Sequence, residues 1–445
     1  GWVLLFCCMV SVGTGILFGL APALEVSKVD LTESLKDSTS SSAGSRRGIW
    51  TRKSLVVIEV ALSVVLLLAA GLTMRTFIAL QNVELGFRPR NVLTAGVQLP
   101  QTRYTTLQQR NQFATELLQR VKQIPGVTAA SIGNGGTPFN GFTSDVTIEG
   151  RADGEKRDME LILAGADYLK TLSIPLISGR ELTEREVQDG APLAIVNQAA
   201  LKHWAPGDDP VGRRVKLEFL LNPGRALKPD DGTGWVTIVG VMGDTVSGLR
   251  ERARPTIVLP FTLIAPNGRT LVVRAVGEPA TVINSIREQL KQMDREQPLA
   301  RPTTMEEIVA RQTVQPRFTM ALFGAFAFLG LALAAFGIYS VLSYFVAQRT
   351  RELGVRMALG AQYSDVLALV LSGGGKLLAI GLGIGLLAGF FSARLLAGQL
   401  FGVTPNDATT YAGVAAALGM VAFLACYVPA RRAARVNPIE ALRYE

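Results

Sequence analysis

Long apolar runs alternate with polar stretches along this chain. Five runs approach the roughly 20 residues that a helix needs to cross a hydrocarbon core of about 30 Å. They are 2–22 (WVLLFCCMVSVGTGILFGLAP), 55–74, 318–346, 377–397 and 408–428. Their glycine content and continuous hydrophobicity suit spanning helices better than a soluble core helix, where one polar stripe would be expected. Between the second and third runs the pattern changes. In 75–317, turns of Gly and Pro separate runs with β-type patterning (VLTAGVQLP at 92–100, VTAASIG at 127–133, WVTIVGVM at 235–242, TLVVRAV at 270–276) from two amphipathic helices. The first helix is expected over 105–123, where Phe113, Leu117 and Val121 recur every four residues, and the second over 280–293, with Val282, Ile286 and Leu290 on one side. A mixed α+β domain of one or two subdomains is expected there.

Composition supports a membrane protein: 48% of the 445 residues are hydrophobic, 18% are charged, and the mean hydropathy is +0.29. A net charge of +9 would suggest nucleic acid if it gathered on one soluble face. Instead the bases flank the apolar runs. Arg46, Arg47, Arg52 and Lys53 precede the second, Arg349, Arg351 and Arg356 follow the third, and Arg431, Arg432, Arg435 and Arg443 follow the fifth, whereas 399–407 carries none. The positive-inside rule then places all three flanks in the cytoplasm, Gly1 outside and Glu445 inside, and exports 75–317. Nucleic-acid binding is not expected. Cys7, Cys8 and Cys426 all lie in apolar runs and give neither a disulfide framework nor a zinc spacing, and a single histidine, His203, excludes a histidine-based catalytic or metal cluster. The start at Gly1, inside an apolar run without a basic leader or cleavage site, reads as a truncation rather than a signal peptide.

Few residues suggest chemistry, and no catalytic residue, cofactor site or metal site is expected. SGGGKLL at 372–378 resembles a phosphate loop only superficially, because the loop needs four residues between its glycines and a hydroxyl after lysine, where Leu377 stands. Its three glycines suggest a flexible joint between a surface helix and a spanning one, with Lys376 reaching for headgroups. Glu59, inside the second run, is a functional candidate by position, set against a place at the interface or beside a polar group of a neighbouring helix. Arg394 reads as a snorkelling residue, His203 as a solvated group among turn residues, and Asp208 with Asp209 as too sparse a set for a cation. The spanning runs hold few polar groups, so a hydrophilic path through their middle is unattractive. In VAQRTRELGVRMALGAQ (346–362), Arg349, Glu352 and Arg356 share a helical face, with Glu352 and Arg356 in the favourable i, i+4 order. That segment is either an interfacial helix with topology-setting bases or a docking surface for a cytoplasmic partner.

Two polar segments about four hundred residues apart repeat one another. APALEVSKVDLTESLKD (21–37) follows the first apolar run and VPARRAARVNPIEALRYE (428–445) ends the last; from Pro22 and Pro429 they share Pro-Ala, a base and valine, then Glu33 with Glu440 and Leu35 with Leu442. QRTRELGVRMALGA, followed by two spanning runs and this ending, resembles the FtsX-like permease domain of the MacB group of ABC transporters. FRPRNVLTAGVQLP, YLKTLSIPLISGRELT, IVNQAALKHWAPGDDPVGRRV and IVGVMGDTVSGL resemble that group's periplasmic core domain. ALRYE and the duplicated element resemble the acidobacterial duplicated orphan permeases, which carry two such units in one polypeptide.

The resemblance implies an α-helical membrane domain, four transmembrane helices of an FtsX-like permease plus one leftover helix, with a large α+β extracytoplasmic domain inserted between the first two helices of the unit. Residues 1–37 would then be the last helix and cytoplasmic end of an upstream unit, 38–54 a cytoplasmic linker, 55–74 a transmembrane helix, 75–317 the periplasmic core domain and 318–445 the permease domain with three transmembrane helices. In the tail copy Leu31 replaces Pro438, and Leu24 and Glu25 replace the arginine pair. The implied mechanism is mechanotransmission in the bacterial inner membrane. A cytoplasmic ABC ATPase, expected to be a separate chain because no Walker element is found, drives helix movements that shift the periplasmic domain and so export or extract a substrate. Arg351, Glu352, Leu353, Gly354, Arg356 and Gly360 match the family's ATPase-facing segment, with Arg431 and Arg432 as further coupling candidates. Other implied partners are membrane lipid, a second permease unit in the same chain or a homodimer, a periplasmic adaptor and an outer-membrane channel. The same fold could instead serve as a non-transporting signal relay controlling an envelope enzyme, as in FtsX-type systems.

Overall fold

The computed structural model describes residues 2, 5, 8, 9, 11–13, 43–133, 141–150, 157–204, 207–221, 234–264, 268–348, 352, 355–357, 359 and 362–433. The tail copy at 21–37 and the final twelve residues lie outside that set, as does most of the first apolar run. Two compact units are present, one made of Gly1–Gly71, Phe323–Leu396 and Pro405–Glu445, the other of Leu72–Leu322 and Ala397–Thr404. The chain passes from one to the other inside two helices, α1 (Ala43–Gln81) and a later one over Met305–Gln348.

The larger unit holds two sheets over one apolar core. The first has four antiparallel strands. β1 (Val92–Gln98) leads through α2 (Leu107–Lys122) to β2 (Val127–Gly133), and the last two strands, over Gly268–Ala275 and Leu299–Thr304, repeat the strand-helix-strand unit at the end of the domain. In α2, Thr106 Oγ1 accepts from the Gln109 N–H at 3.3 Å while Gln109 Oε1 accepts from the Thr106 N–H at 3.1 Å, so two orphan donors of the first turn are satisfied reciprocally. Its buried face is Phe113, Ala114, Leu117 and Val121, the stripe expected from spacing alone.

Between β2 and the closing strands lies a second, mixed sheet. It contains β3 (Phe142–Ile148), β4 (Arg157–Ala164), β5 (Leu176–Gly179), β6 (Leu193–Asn197), β7 (Arg214–Leu217), β8 (Trp235–Met242) and β9 (Thr256–Pro260), with the short helices α3 (Tyr168–Leu172) and α4 (Glu184–Gln188) between them. The order is β5-β8-β6-β9-β4-β3-β7, and a further β7–β8 pairing closes the sheet on itself. Closure satisfies strand edges that would otherwise be open to aggregation. The remaining elements of this unit are β10 (Gly268–Ala275), α5 (Ile283–Met293) and β11 (Leu299–Thr304); the four-stranded order β11-β1-β10-β2 is that of a ferredoxin-like split βαβ fold. The α+β expectation is met, and its two subdomains are these two sheets.

The other unit is a helix bundle. α1 packs with α6 (Met305–Gln348), α7 (Tyr363–Leu395) and α8 (Ala408–Ala433). The buried residues fall at four-residue steps on every helix: Val56, Val60, Val64 and Leu68 on α1, Ala334, Ile338 and Leu342 on α6, Val366 and Val370 on α7, and Val414, Leu418, Ala422 and Cys426 on α8. Outward-facing residues are as apolar, with Phe326, Phe328, Leu329, Leu333 and Phe336 of α6 all exposed. Only a lipid surround makes such a helix tolerable. Four helices are long and apolar enough to cross a bilayer: Lys53–Gln81, Met305–Gln348, Ser364–Leu395 and Ala408–Arg432.

Two expectations need correction. Gly373–Gly375 form no joint, because α7 runs unbroken from Tyr363 through them. A Cβ at Gly374 would lie 2.7 Å from Cys426 Sγ, so this glycine admits α8 rather than flexing. The apolar runs also understate helix length. At about 1.5 Å per residue the 44-residue α6 is about 66 Å long, twice a hydrocarbon core, because its polar first turns are invisible to hydropathy.

Candidate functional site

The sequence points to the turn between α6 and α7. Glu352 and Arg356 form the expected ion pair at 2.7 Å, with both side chains about half exposed. An exposed i, i+4 pair contributes only about 0.3–0.5 kcal/mol, so it does not hold the fold together. The Leu359 N–H donates to the Val355 carbonyl at 3.0 Å, which continues the helical turn, and Met357 packs against the bundle. Val355 and Leu359 face away from it, Leu359 with 82% of its surface exposed. Gln362 then caps α7, its N–H bonded to Asp365 Oδ2 at 2.9 Å, and Asp365 places a carboxylate at the positive end of that helix. Arg351, Leu353, Gly354 and Gly360 lie outside the described residues.

At the end of α8, Arg432 Nη1 donates to Tyr339 Oη of α6 at 3.2 Å, while Arg431 is exposed. Val355 and Leu359 were missed by reasoning from charge. Their signal was present, two apolar residues one turn apart beside the ion pair, but spacing does not say which side of a short turn is covered.

What this turn could move is set by close helix packing. Gly381, Gly385 and Gly389 of α7 face Val60, Val64 and Leu68 of α1; a Cβ at Gly381 would stand 2.6 Å from Val60 Cγ1, and one at Gly385 2.6 Å from Val64 Cβ. Small residues at four-residue spacing let membrane helices approach and gain dispersion contacts that lipid would otherwise supply. Ser63 Oγ lies 2.7 Å from both the Glu59 and the Gly330 carbonyls and donates its one proton to either, stitching α1 to α6. The Glu59 carboxylate sits against Gly337 of α6. Among the described residues, the buried side chains of the four long helices are apolar apart from Ser63, Thr410 and, near the end of α1, Thr73 and Thr76.

In the larger unit, the loop after β8 holds the ends of both long helices. Its Val246 N–H donates to the Leu85 carbonyl just past α1, at 3.2 Å, and its Leu249 N–H donates to Gln312 Oε1 of α6 at 3.0 Å. Gly86 permits the first contact: its φ is +74°, and a Cβ would strike the Asp244 carbonyl. Gln312 carried no sequence signal. Of the remaining candidates, Arg394 lies over the Phe390 ring at 4.6 Å, Asp209 Oδ1 accepts from the Val211 N–H in a turn at 2.9 Å, and His203 is half-buried rather than solvated.

Comparison with known proteins agrees with this architecture. Residues 56–293 match the MacB-like periplasmic core domain and residues 324–438 the FtsX-like permease C-terminal domain. The chain is 27% identical over 303 residues to "Macrolide export ATP-binding/permease protein MacB 2" of Aeromonas hydrophila, covering 64% of this chain and 43% of that protein. It is 24% identical over 335 residues to "Uncharacterized ABC transporter permease YknZ" of Bacillus subtilis, covering 74% of this chain and 77% of that one. A solved structure of the periplasmic region of MacB from Actinobacillus actinomycetemcomitans aligns with 52% of this chain and 94% of its own, at a TM-score of 0.35 and 14% identity. The chain thus spans less than half the length of the MacB relative. With an FtsX-like permease domain following a periplasmic core domain that matches more than half of its residues, this chain belongs to the MacB-like family of ABC transporter permeases.

Proposed function

We propose that this protein is the transmembrane subunit of a MacB-like export system in the inner membrane, with its C-terminus and the α6–α7 turn in the cytoplasm. A separate cytoplasmic ABC ATPase docks on that turn. Its cycle of closure tilts α1 and α6, and their far ends move the periplasmic sheets through the loop after β8, so that substrate is exported or extracted without passing between the helices. The apolar interior of the bundle supports mechanical transmission over a polar conduit. Relatives named for export support transport over the signal-relay alternative, which they do not favour. A second permease unit, an adaptor and an outer-membrane channel complete the assembly in this reading.

One observation carries the proposal: the turn presents Val355 and Leu359 outward beside the Glu352–Arg356 pair, while Met357 anchors it to the bundle. An apolar pair rimmed by charge is the composition of a docking patch, and a bilayer-facing turn would not expose an ion pair. Leu359→Glu and Glu352→Lys should each reduce co-purification with the ATPase at least tenfold while membrane abundance stays unchanged. Full retention of the ATPase by both variants would count against this surface.

A further inference from the structure

The loop after β8 is tied to the second sheet by side chain and backbone. Its Gly243 N–H donates to the Pro175 carbonyl at 2.8 Å, its Asp244 Oδ1 accepts from the Ala199 N–H at 2.7 Å, and its Ser247 Oγ donates to Glu160 Oε2. The first two bonds hold the start of the loop. The third falls between the two positions that hold the long helices, Val246 at Leu85 and Leu249 at Gln312. It also reaches further across the fold, because Glu160 lies on β4, an interior strand separated from β8 by β6 and β9.

Glu160 is a costly residue at that place. It is 6% exposed, and among the described residues its side chain forms one hydrogen bond, from Ser247, and no ion pair. The buried Tyr168 hydroxyl, whose pKa is pushed up by burial first and by the charge of Glu160 second, has no hydrogen-bond partner and supplies no second donor. Gly141, just before β3, leaves the room that the carboxylate occupies, since a Cβ there would overlap the Glu160 side chain. A carboxylate buried with one hydroxyl donor and no cation loses more on leaving water than that donor returns. Glutamine has the same shape and would accept the same bond without a charge. What the carboxylate adds is strength, because a charge-assisted hydrogen bond is about twice as strong as a neutral one.

We propose that Glu160 is a positioning residue for transmission: it locks the loop, between its two helix contacts, to β4, so that displacement of the helix ends moves the sheet instead of bending the loop. The proposal rests on the mechanical role given to the long helices above. A loop held only at its start would absorb such a displacement in its own backbone. With Ser247 fixed to an interior strand, the displacement passes into the sheet, and the fold gives up some stability at Glu160 for that stiffness.

The test uses the full chain together with the ATPase that co-purifies with it. Cys7, Cys8 and Cys426 are replaced by alanine, a fluorophore is placed on Arg185→Cys, an exposed position of the periplasmic unit, and the change in emission on adding ATP is followed. Ser247→Ala should reduce that change about tenfold, the shift in population that one charge-assisted hydrogen bond accounts for, while ATP turnover persists. Ser247→Thr, which keeps the hydroxyl, should restore it. Glu160→Gln separates positioning from simple support of the fold. It should diminish the change while melting at or above the wild-type temperature, because the buried charge is gone. A lowered melting temperature alongside the diminished change in Glu160→Gln, or an undiminished change in both Ser247→Ala and Glu160→Gln, would overturn the proposal. A wild-type chain whose emission does not respond to ATP would remove the mechanical role itself, and this proposal with it.

Discussion

At the scale of single residues, the side chains that matter are those whose charge or size has no slack. Glu186 is one. It accepts two hydrogen bonds from Arg180, at 2.6 and 2.8 Å, and closes the capping box of α4 with Thr183, so its carboxyl is held down at about 2 by the Arg180 guanidinium first and the backbone of Thr183 after it. A carboxyl whose folded pKa lies below its unfolded value of about 4.3 stabilises the fold above that value and loses its contribution as pH falls toward the folded pKa. Glu186→Gln should therefore melt below wild type at pH 7, and the gap should close as pH falls from about 4.3 to about 2. A gap that persists unchanged at pH 2, followed by thermal unfolding of the full chain, would show that the pair acts by packing alone.

At the scale of elements, the α1–α7 seam makes a sharper claim than hydropathy does. Gly381, Gly383, Gly385 and Gly389 share one run, yet a Cβ at Gly385 would meet Val64 and the Ala61 backbone, whereas one at Gly383 would meet nothing within 4 Å. Gly385→Leu should cost about 1–3 kcal/mol of bundle stability, as overpacking does, while Gly383→Leu should be nearly neutral. Melting temperatures of the two variants in one detergent decide it, and equal effects would mean that α7 packs through another face. Every glycine of this run was visible in the sequence. Which of them touches α1 was not, because a helix that is apolar all round offers no amphipathic stripe from which to read its buried side.

At the scale of the whole molecule, orientation is the testable property. With Cys7, Cys8 and Cys426 replaced by alanine, Leu359→Cys should resist a membrane-impermeant maleimide in intact spheroplasts and react after lysis, and Arg185→Cys should react in both. The reverse pattern would invert the proposed arrangement and remove the proposed ATPase surface with it. The Glu352–Arg356 pair was legible because an i, i+4 pair needs only a helix. The Arg432–Tyr339 and Leu249–Gln312 contacts join residues 93 and 63 positions apart, and only the path of the chain brings them together.

By itself, the sequence determined four helices long and apolar enough to span a membrane, and four strands and two helices of the inserted domain. These follow from the transfer of apolar groups out of water and from backbone periodicity, both of which act locally along the chain. Only the tertiary structure decided which glycines admit a neighbouring helix, how β7 closes the second sheet onto β8, and where the loop after β8 grips both long helices. Those outcomes depend on steric fit and charge between distant segments, and no local pattern encodes where such segments meet.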